Sequence, residues 1–372
     1  MIAIFIRLIC LYLFRNVSNY DLESYFKVGE LTLKRVNIYP EISNLHHPYL
    51  PFFLYFEALA VWLGKSKIIS VMIIKSINIL FDLGILYLVY LLSNKNLQKT
   101  FIYAINPVTI LITTLHGQFD VIPIFFILLS IYWINIKKEA LSVFSFSFAI
   151  LTKTWPVLFI IPILRKVCVC HPRENGDPER LDSRLCLRRQ VRGNDRWGLL
   201  TILIMFFPVL FTTLYCVFFK VNPIDIGKTI IYYQGLWGIW GPWSWIGKIR
   251  IIFQKAATIL FLISFLGYSL INTTKSIVKN IYLLLIFFFI FTTNFSIQYF
   301  AWFIPFLIII LPKKYLHLVT LIALYIFSFY FNWLFCTQCK STPHWLVLVQ
   351  NIIGFILWLS FIKVGYLSRK IS

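Results

Sequence analysis

Acidic side chains are scarce in this sequence. Only 14 Asp and Glu stand among 372 residues, against 35 Lys and Arg, and none follows Asp225. Charged residues of both signs reach 13%, whereas a water-soluble domain carries about 25% to solvate its surface. A soluble globular protein is thereby excluded. The chain also lacks the low-complexity polar composition of a disordered protein, since it holds 37 Phe and 20 Tyr. It lacks the alternating segments of about ten residues that build a membrane β-barrel. Seven cysteines, an odd number scattered through the chain, give no disulfide framework. What is present is apolar: 59% of residues are hydrophobic and the mean hydropathy is +0.80. Runs long enough to cross a hydrocarbon core of about 30 Å recur from end to end. The expectation is an all-α polytopic membrane protein of about 10–13 transmembrane helices. The net charge of +21 sits in short basic clusters between apolar runs, which marks cytoplasmic loops and argues against nucleic-acid binding.

The first apolar run, Met1 to Phe14, is about 21 Å long and is interrupted by Arg7. It reads as a snorkelling first helix or as one whose start lies upstream. No small-x-small site precedes Arg15, so a cleaved signal peptide is set aside. Residues 15–67 form a long polar to amphipathic loop, in which the short apolar run after Pro51 predicts a helix lying in the membrane interface. Further runs fall at 68–92, 100–115 and 120–136, with Lys95, Lys99, Lys137 and Lys138 in the connections. The segment 139–164 must count as two short legs bent at Lys153-Thr154-Trp155-Pro156 if every later basic loop is to stay inside. Runs at 198–219, 250–271, 281–293, 299–311, 315–335 and 345–362 follow. The tryptophans from 237 to 245 read as interface anchors rather than a sugar platform.

Residues 168–197 depart from this pattern and turn abruptly polar, rich in arginine and in turn-forming Pro, Gly, Asn and Asp. The stretch looks like the translated copy of a mobile palindromic repeat inserted in frame, and a cytoplasmic recruitment loop is the functional alternative. Cys168, Cys170, His171 and Cys186 would make a zinc-like set only within it. The Cys336-x-x-Cys339 pair on the outer side is compatible with a disulfide. The division is thus an N-terminal membrane module, 1–164, a hydrophilic segment, 165–197, and a C-terminal membrane module, 198–372.

Five of the 14 acids lie in the polar insertion. Of the others, Glu139 faces inward, Asp82 is inside a helix, and Asp21, Glu23, Glu30, Glu41, Glu57, Asp120 and Asp225 map to the outer side with His46, His47, His116 and His344. Any site therefore belongs at the outer face, near the headgroups.

Several stretches carry a family resemblance. They are the acid Asp21 after the first helix, Tyr39-Pro40, His47-Pro48-x-x-Pro51, and Gly64-x-Ser66 before the next span. His116-Gly117-Gln118-Phe119-Asp120, Lys153-x-x-Pro156 and Ser296-Ile297-Gln298-Tyr299-x-x-Trp302 follow in order. The chain resembles the GT-C superfamily of integral membrane glycosyltransferases, in particular its mannosyltransferase-like branch, with Ile297 in place of the usual proline. The resemblance implies inverting transfer of a sugar, mannose or another hexose, from a polyprenyl-phosphate donor to a lipid-linked or cell-envelope glycan. It places that transfer at the outer face of a bacterial cytoplasmic membrane, among membrane lipids.

It implies Asp21 as general base, since the acceptor hydroxyl must lose a proton. Lys153, His46, His47 and Arg35 would bind the donor phosphate. His116, Gln118, Asp120, Gln298 and Tyr299 would bind sugar or acceptor. No metal-ligand cluster is evident, and a divalent cation is carried only as an option. Plainer readings stand beside these: Asp21 solvating a loop, Lys153 snorkelling, His47 a turn residue, Asp120 a helix N-cap, and Gln298 with Tyr299 a helix start in an aromatic belt. Rival functions are a lipid-glycan transporter, for which only Asp82 and Lys75 lie inside a span, and an inactive relative.

Overall fold

The computed structural model describes residues 1–40, 42–168, 183–233, 240–245, 250–274, 276–310, 316–335 and 342–370. The C-x-x-C pair, Trp237 and residues 169–182 of the polar segment lie outside them. The fold is all-α, with no strand among the described residues. Its principal helices are α1 (Ile2–Leu13), α2 (Tyr20–Leu33), α3 (Phe53–Gly64), α4 (Lys67–Leu92), α5 (Val121–Asn135), α6 (Glu139–Thr152) and α7 (Ile160–Cys168). There follow α8 (Ser183–Phe219), α9 (Pro223–Tyr232), α10 (Arg250–Ile271), α11 (Ile277–Phe291), α12 (Phe300–Ile310), α13 (Leu316–Phe335) and α14 (His344–Lys370). Lys67–Leu92, Leu199–Phe219 and His344–Ser368 are long and apolar enough to cross a membrane alone, and shorter apolar helices surround them. The protein is an integral, multi-pass membrane protein.

Local sequence sets the helix starts. Asn19, Ser66, Asn222 and Ser276 each accept a backbone N–H of the first turn, and Pro223 occupies the first turn of α9, where a missing N–H costs nothing. The run expected at 100–115 is broken, because Asn106 caps a new turn at Pro107. That turn tightens into a π-helical segment, Ile112–His116. The turn closes at Gly117, whose φ of 76° is left-handed and whose missing Cβ leaves room for Leu22.

Arg7 does not snorkel. It is fully buried, its guanidinium 2.6 Å from Asp82, and Tyr103 donates its hydroxyl to the same carboxylate. Lys75 donates to the Phe14 carbonyl at 2.9 Å, and Asn78 to the Gly117 carbonyl at 2.8 Å. The polar residues of α4 thus fasten α1 and the 116–117 turn to one long helix. A transporter's mid-membrane ionisable path has no support here, since Asp82 and Lys75 are both engaged internally.

The break after Thr152 is real, with Lys153 extended and a 3₁₀ turn from Trp155 to Phe159. Its two legs return to the same end of the bundle. Lys153 meets Asp120, the residue before α5, whereas Arg165 near the end of α7 donates to the Ser269 and Leu270 carbonyls at the far end of α10. Lys99 reaches the Ile309 carbonyl on that same far side.

Two expectations are corrected. The helix α8 begins at Ser183, so the second half of the polar segment has a helical backbone that runs into the apolar span; no proline interrupts the chain from 183 to 207, and Gly193 and Asn194 alone do not stop it. Trp240 is no interface anchor. It is 1% exposed, donates its indole N–H to the Phe289 carbonyl at 2.6 Å, and packs among Phe295, Phe300, Tyr325 and Phe361.

Candidate functional site

A cavity of about 470 Å³ opens at the end of the bundle where α2 begins. Five segments build its wall: Tyr20 and Asp21 of α2, Pro48-Tyr49, the Lys153–Trp155 break, the end of α9 with Tyr233 beyond it, and Ser296 to Trp302. Asn19 anchors the first of these, its side-chain amide donating to the His116 carbonyl at 2.9 Å while its oxygen caps α2.

Asp21 Oδ2 accepts from Gln118 Nε2 at 2.6 Å and lies 3.0 Å from His116 Nε2. A carboxylate only accepts, so His116 carries a proton on Nε2, and its Nδ1 lies 2.9 Å from the Tyr330 hydroxyl. Gln118 is fixed in turn by Tyr25, whose hydroxyl donates to Oε1 at 2.9 Å. Partial burial alone would raise the pKa of Asp21. The hydrogen bonds of His116 and Gln118, with the positive charge of Lys153, outweigh burial and hold it below the usual carboxylate value of 3.8.

Asp120 is fully buried and caps nothing. Its two oxygens accept from Lys153 Nζ and from the Trp302 indole, each at 2.8 Å. The Lys153 ammonium also lies over the Phe119 and Tyr49 rings, 4.3 and 5.0 Å from their centroids. Trp302 stacks between Trp155, at 3.8 Å, and Tyr299, at 4.1 Å. A negative carboxylate, a neutralised cation and a wall of aromatic rings therefore face one cavity. Such a surface offers apolar ring faces and a hydrogen-bond acceptor side by side to a polar ligand.

Of the residues expected here, Asp21, Lys153, Gln298 and Tyr299 line the cavity, while His116, Gln118 and Asp120 hold its wall from behind. Three do not belong. Arg35 is exposed, just past the end of α2 with a left-handed φ of 56°, and the helix carries it about 20 Å from Asp21. His47 is buried outside the cavity wall, 3.6 Å from Glu57. His46 stacks on Tyr20, its Nδ1 2.9 Å from Ser24 Oγ, with burial and then Lys27 lowering its pKa. Tyr20, Tyr49, Trp155, Tyr233 and Trp302 were not singled out as site residues. The available signal was an aromatic residue flanking most of the polar motifs. No group of three or more His, Cys, Asp or Glu among the described residues is placed to hold a metal.

The lowered pKa of Asp21 sets a pH dependence. Because its folded value lies below its ordinary one, the network's contribution is complete above the ordinary value and is lost as pH falls through the folded one. Thermal stability in detergent is expected to stay level from about pH 8 to about pH 5 and fall only in stronger acid, and Asp21→Asn should flatten that acid limb.

The family model for GPI transamidase subunit PIG-U matches residues 31–229, more than half of the chain. This chain belongs to the PIG-U family. No curated protein and no solved structure matches it. Within the PIG-U match lie the 116–120 turn and Lys153, whereas Asp21, Gln298 and Tyr299 fall outside it.

PIG-U membership overturns the sugar-transfer expectation. The family is described as a subunit of a transamidase, which gives no support to a polyprenyl-phosphate glycosyltransferase, to its sugar donor and glycan acceptor, or to Asp21 as its base. In the site itself the Asp21 carboxylate is already engaged, accepting from Gln118 and lying against His116.

Proposed function

We propose that this PIG-U relative is a non-catalytic membrane subunit that holds the headgroup of a phosphate-bearing glycolipid for a partner enzyme. The observation that carries the reading is the convergence of Asp21, Lys153 and the Trp155–Trp302–Tyr299 ring stack on one cavity of about 470 Å³. The rings and Asp21 suit the sugar. Lys153 uses one of its three N–H donors on Asp120, leaving others for a phosphate at the membrane surface. The family's printed description, a subunit acting in glycosylphosphatidylinositol transamidation, supports a lipid of this class. The basic clusters support placing the cavity at the membrane face opposite the cytoplasmic loops. The 168–197 segment fits a dispensable insertion between two membrane modules.

The test is equilibrium binding of a synthetic glycosylphosphatidylinositol to the full chain in nanodiscs. Saturable binding is expected, and Tyr233→Ala, which removes one cavity ring without touching the ion pairs, should weaken it about tenfold. Equal affinity in the variant, or no saturable binding, would sink the reading.

A further inference from the structure

We infer that Glu57 and His47 form a one-proton latch, in which the Glu57 carboxylic acid donates to His47 Nδ1 and thereby positions the Pro48-Tyr49 wall of the cavity. The consequence for ligand binding rests on the headgroup reading above, whereas the latch itself does not.

Both side chains are fully buried, and neither lines the cavity. His47 Nδ1 lies 3.6 Å from Glu57 Oε2, just beyond hydrogen-bond reach. Among the described residues no hydrogen-bond partner meets that nitrogen or either oxygen of Glu57. A buried carboxylate left bare in this way is costly, and folded proteins rarely keep one. The other ring nitrogen shows where the missing hydrogen belongs. Nε2 lies 3.4 Å from the Leu50 carbonyl, which only accepts, so Nε2 carries a proton. In the neutral ring Nδ1 is then a lone pair beside Glu57. A carboxylate would repel it, whereas a carboxylic acid donates to it. An imidazolium facing a carboxylate would hold the same single proton, but Glu57 has no second donor among the described residues to support a buried charge. The other ionisable groups around the pair are the phenols of Tyr25, Tyr39, Tyr55 and Tyr215 and the thiol of Cys216, none of which carries positive charge. Burial accordingly pushes the Glu57 carboxyl above its ordinary 4.5, and His47 offsets this only in part.

The pair sits directly behind the cavity. His47 precedes Pro48 and Tyr49 of the lining, and its ring stands edge-on to Tyr49, with centroids 5.5 Å apart. The Tyr49 ring in turn lies edge-on to Phe119 at 5.2 Å and under the Lys153 ammonium at 5.0 Å. Its carbonyl accepts from the Tyr39 hydroxyl at 2.7 Å. Glu57 belongs to the buried face of α3, beside Phe53, Leu54 and Ala60. The same residue marks the crossing of α2 over α3, because a Cβ added at Gly29 would come within 2.6 Å of the Glu57 carbonyl. The helix that carries Tyr20 and Asp21 and the turn that carries Tyr49 therefore both refer to Glu57. A hydrogen bond from the acid to Nδ1 ties that turn to α3 without placing a charge in the interior.

The experiment uses the full chain in nanodiscs at neutral pH, with Glu57→Gln, which keeps the shape and a donor, and Glu57→Leu, which keeps neither the donor nor the acceptor. The infrared difference spectrum of wild type minus Glu57→Gln should show the C=O stretch of a protonated carboxyl. Amide hydrogen exchange across residues 46–53, where His47 and Phe52 donate to the Ser43 and Leu50 carbonyls, should quicken about tenfold in Glu57→Leu and stay at the wild-type rate in Glu57→Gln. Affinity for a synthetic glycosylphosphatidylinositol should follow the exchange, about tenfold weaker in Glu57→Leu and within about twofold of wild type in Glu57→Gln. A carboxylate band in place of the protonated one would overturn the latch, since Glu57 would then be charged. Equal loss of protection in both variants would overturn it as well, because a neutral donor would not suffice. Unchanged exchange in Glu57→Leu would show that the pair does not position the wall. Absence of glycolipid binding by the wild type would remove the headgroup reading alone, with the infrared and exchange results still deciding the latch.

Discussion

Replacing Asp82 by Leu should cost more stability than any exposed change in the protein, about 3–5 kcal/mol, because it leaves the Arg7 guanidinium buried with no counter-charge. Arg7 and Asp82 are both fully buried, and the pair holds α1 against α4 with Tyr103 as a third member. The backbone carbonyls of Ala3 and Ala104 would be the remaining acceptors for Arg7, and they carry no formal charge. The expected result is a large fall in detergent melting temperature for Asp82→Leu and recovery of most of it in the double variant Arg7→Met/Asp82→Leu. An unchanged melting temperature in the single variant would mean that water or lipid phosphate reaches Arg7.

The second large effect is expected at Lys153. Lys153→Met keeps the contact with the Phe119 and Tyr49 rings but leaves the Asp120 carboxylate buried with the Trp302 indole as its remaining donor among the described residues. The loss should again be about 3–5 kcal/mol. Adding Asp120→Asn removes the stranded charge and should restore stability without restoring glycolipid binding, since the cation facing the cavity is still missing. Binding that recovers together with stability would show that Lys153 only braces the wall and does not meet the headgroup.

Much of this arrangement was legible in the sequence because polar residues are so few. In a chain with 13% charged residues, those placed beside membrane spans have few partners other than one another. Asp21, His116, Gln118, Asp120 and Lys153 do converge. The helix expected at 68–92 appears as Lys67–Leu92, since its apolar run is unbroken and Ser66 caps its start. The bend at Lys153–Pro156 follows from the sidedness of the basic loops alone. Residues whose partners lie far along the chain were not legible. Nothing local to Arg7 points to Asp82, 75 positions on, and nothing local to Trp302 points to Asp120, 182 positions back. Trp240 looked like an anchor because tryptophan beside glycine suits a membrane interface. Its burial comes from α11, α12, α13 and α14 closing over it.

The motif order suggested a sugar transferase because binding a glycolipid and transferring its sugar call on the same residue types. What speaks against transfer is the PIG-U match, which a motif does not reveal.

The most direct measurement follows both fates of one ligand. Nanodiscs containing the full chain would be given a glycosylphosphatidylinositol labelled in its sugar, in the presence of membrane extract as a source of acceptors. The expected result is saturable retention of intact label by the protein, lost in Tyr233→Ala, with no label moved to another molecule by the purified chain. Label transferred by the purified chain, or intact ligand that never saturates, would contradict a subunit that holds its lipid without reacting it.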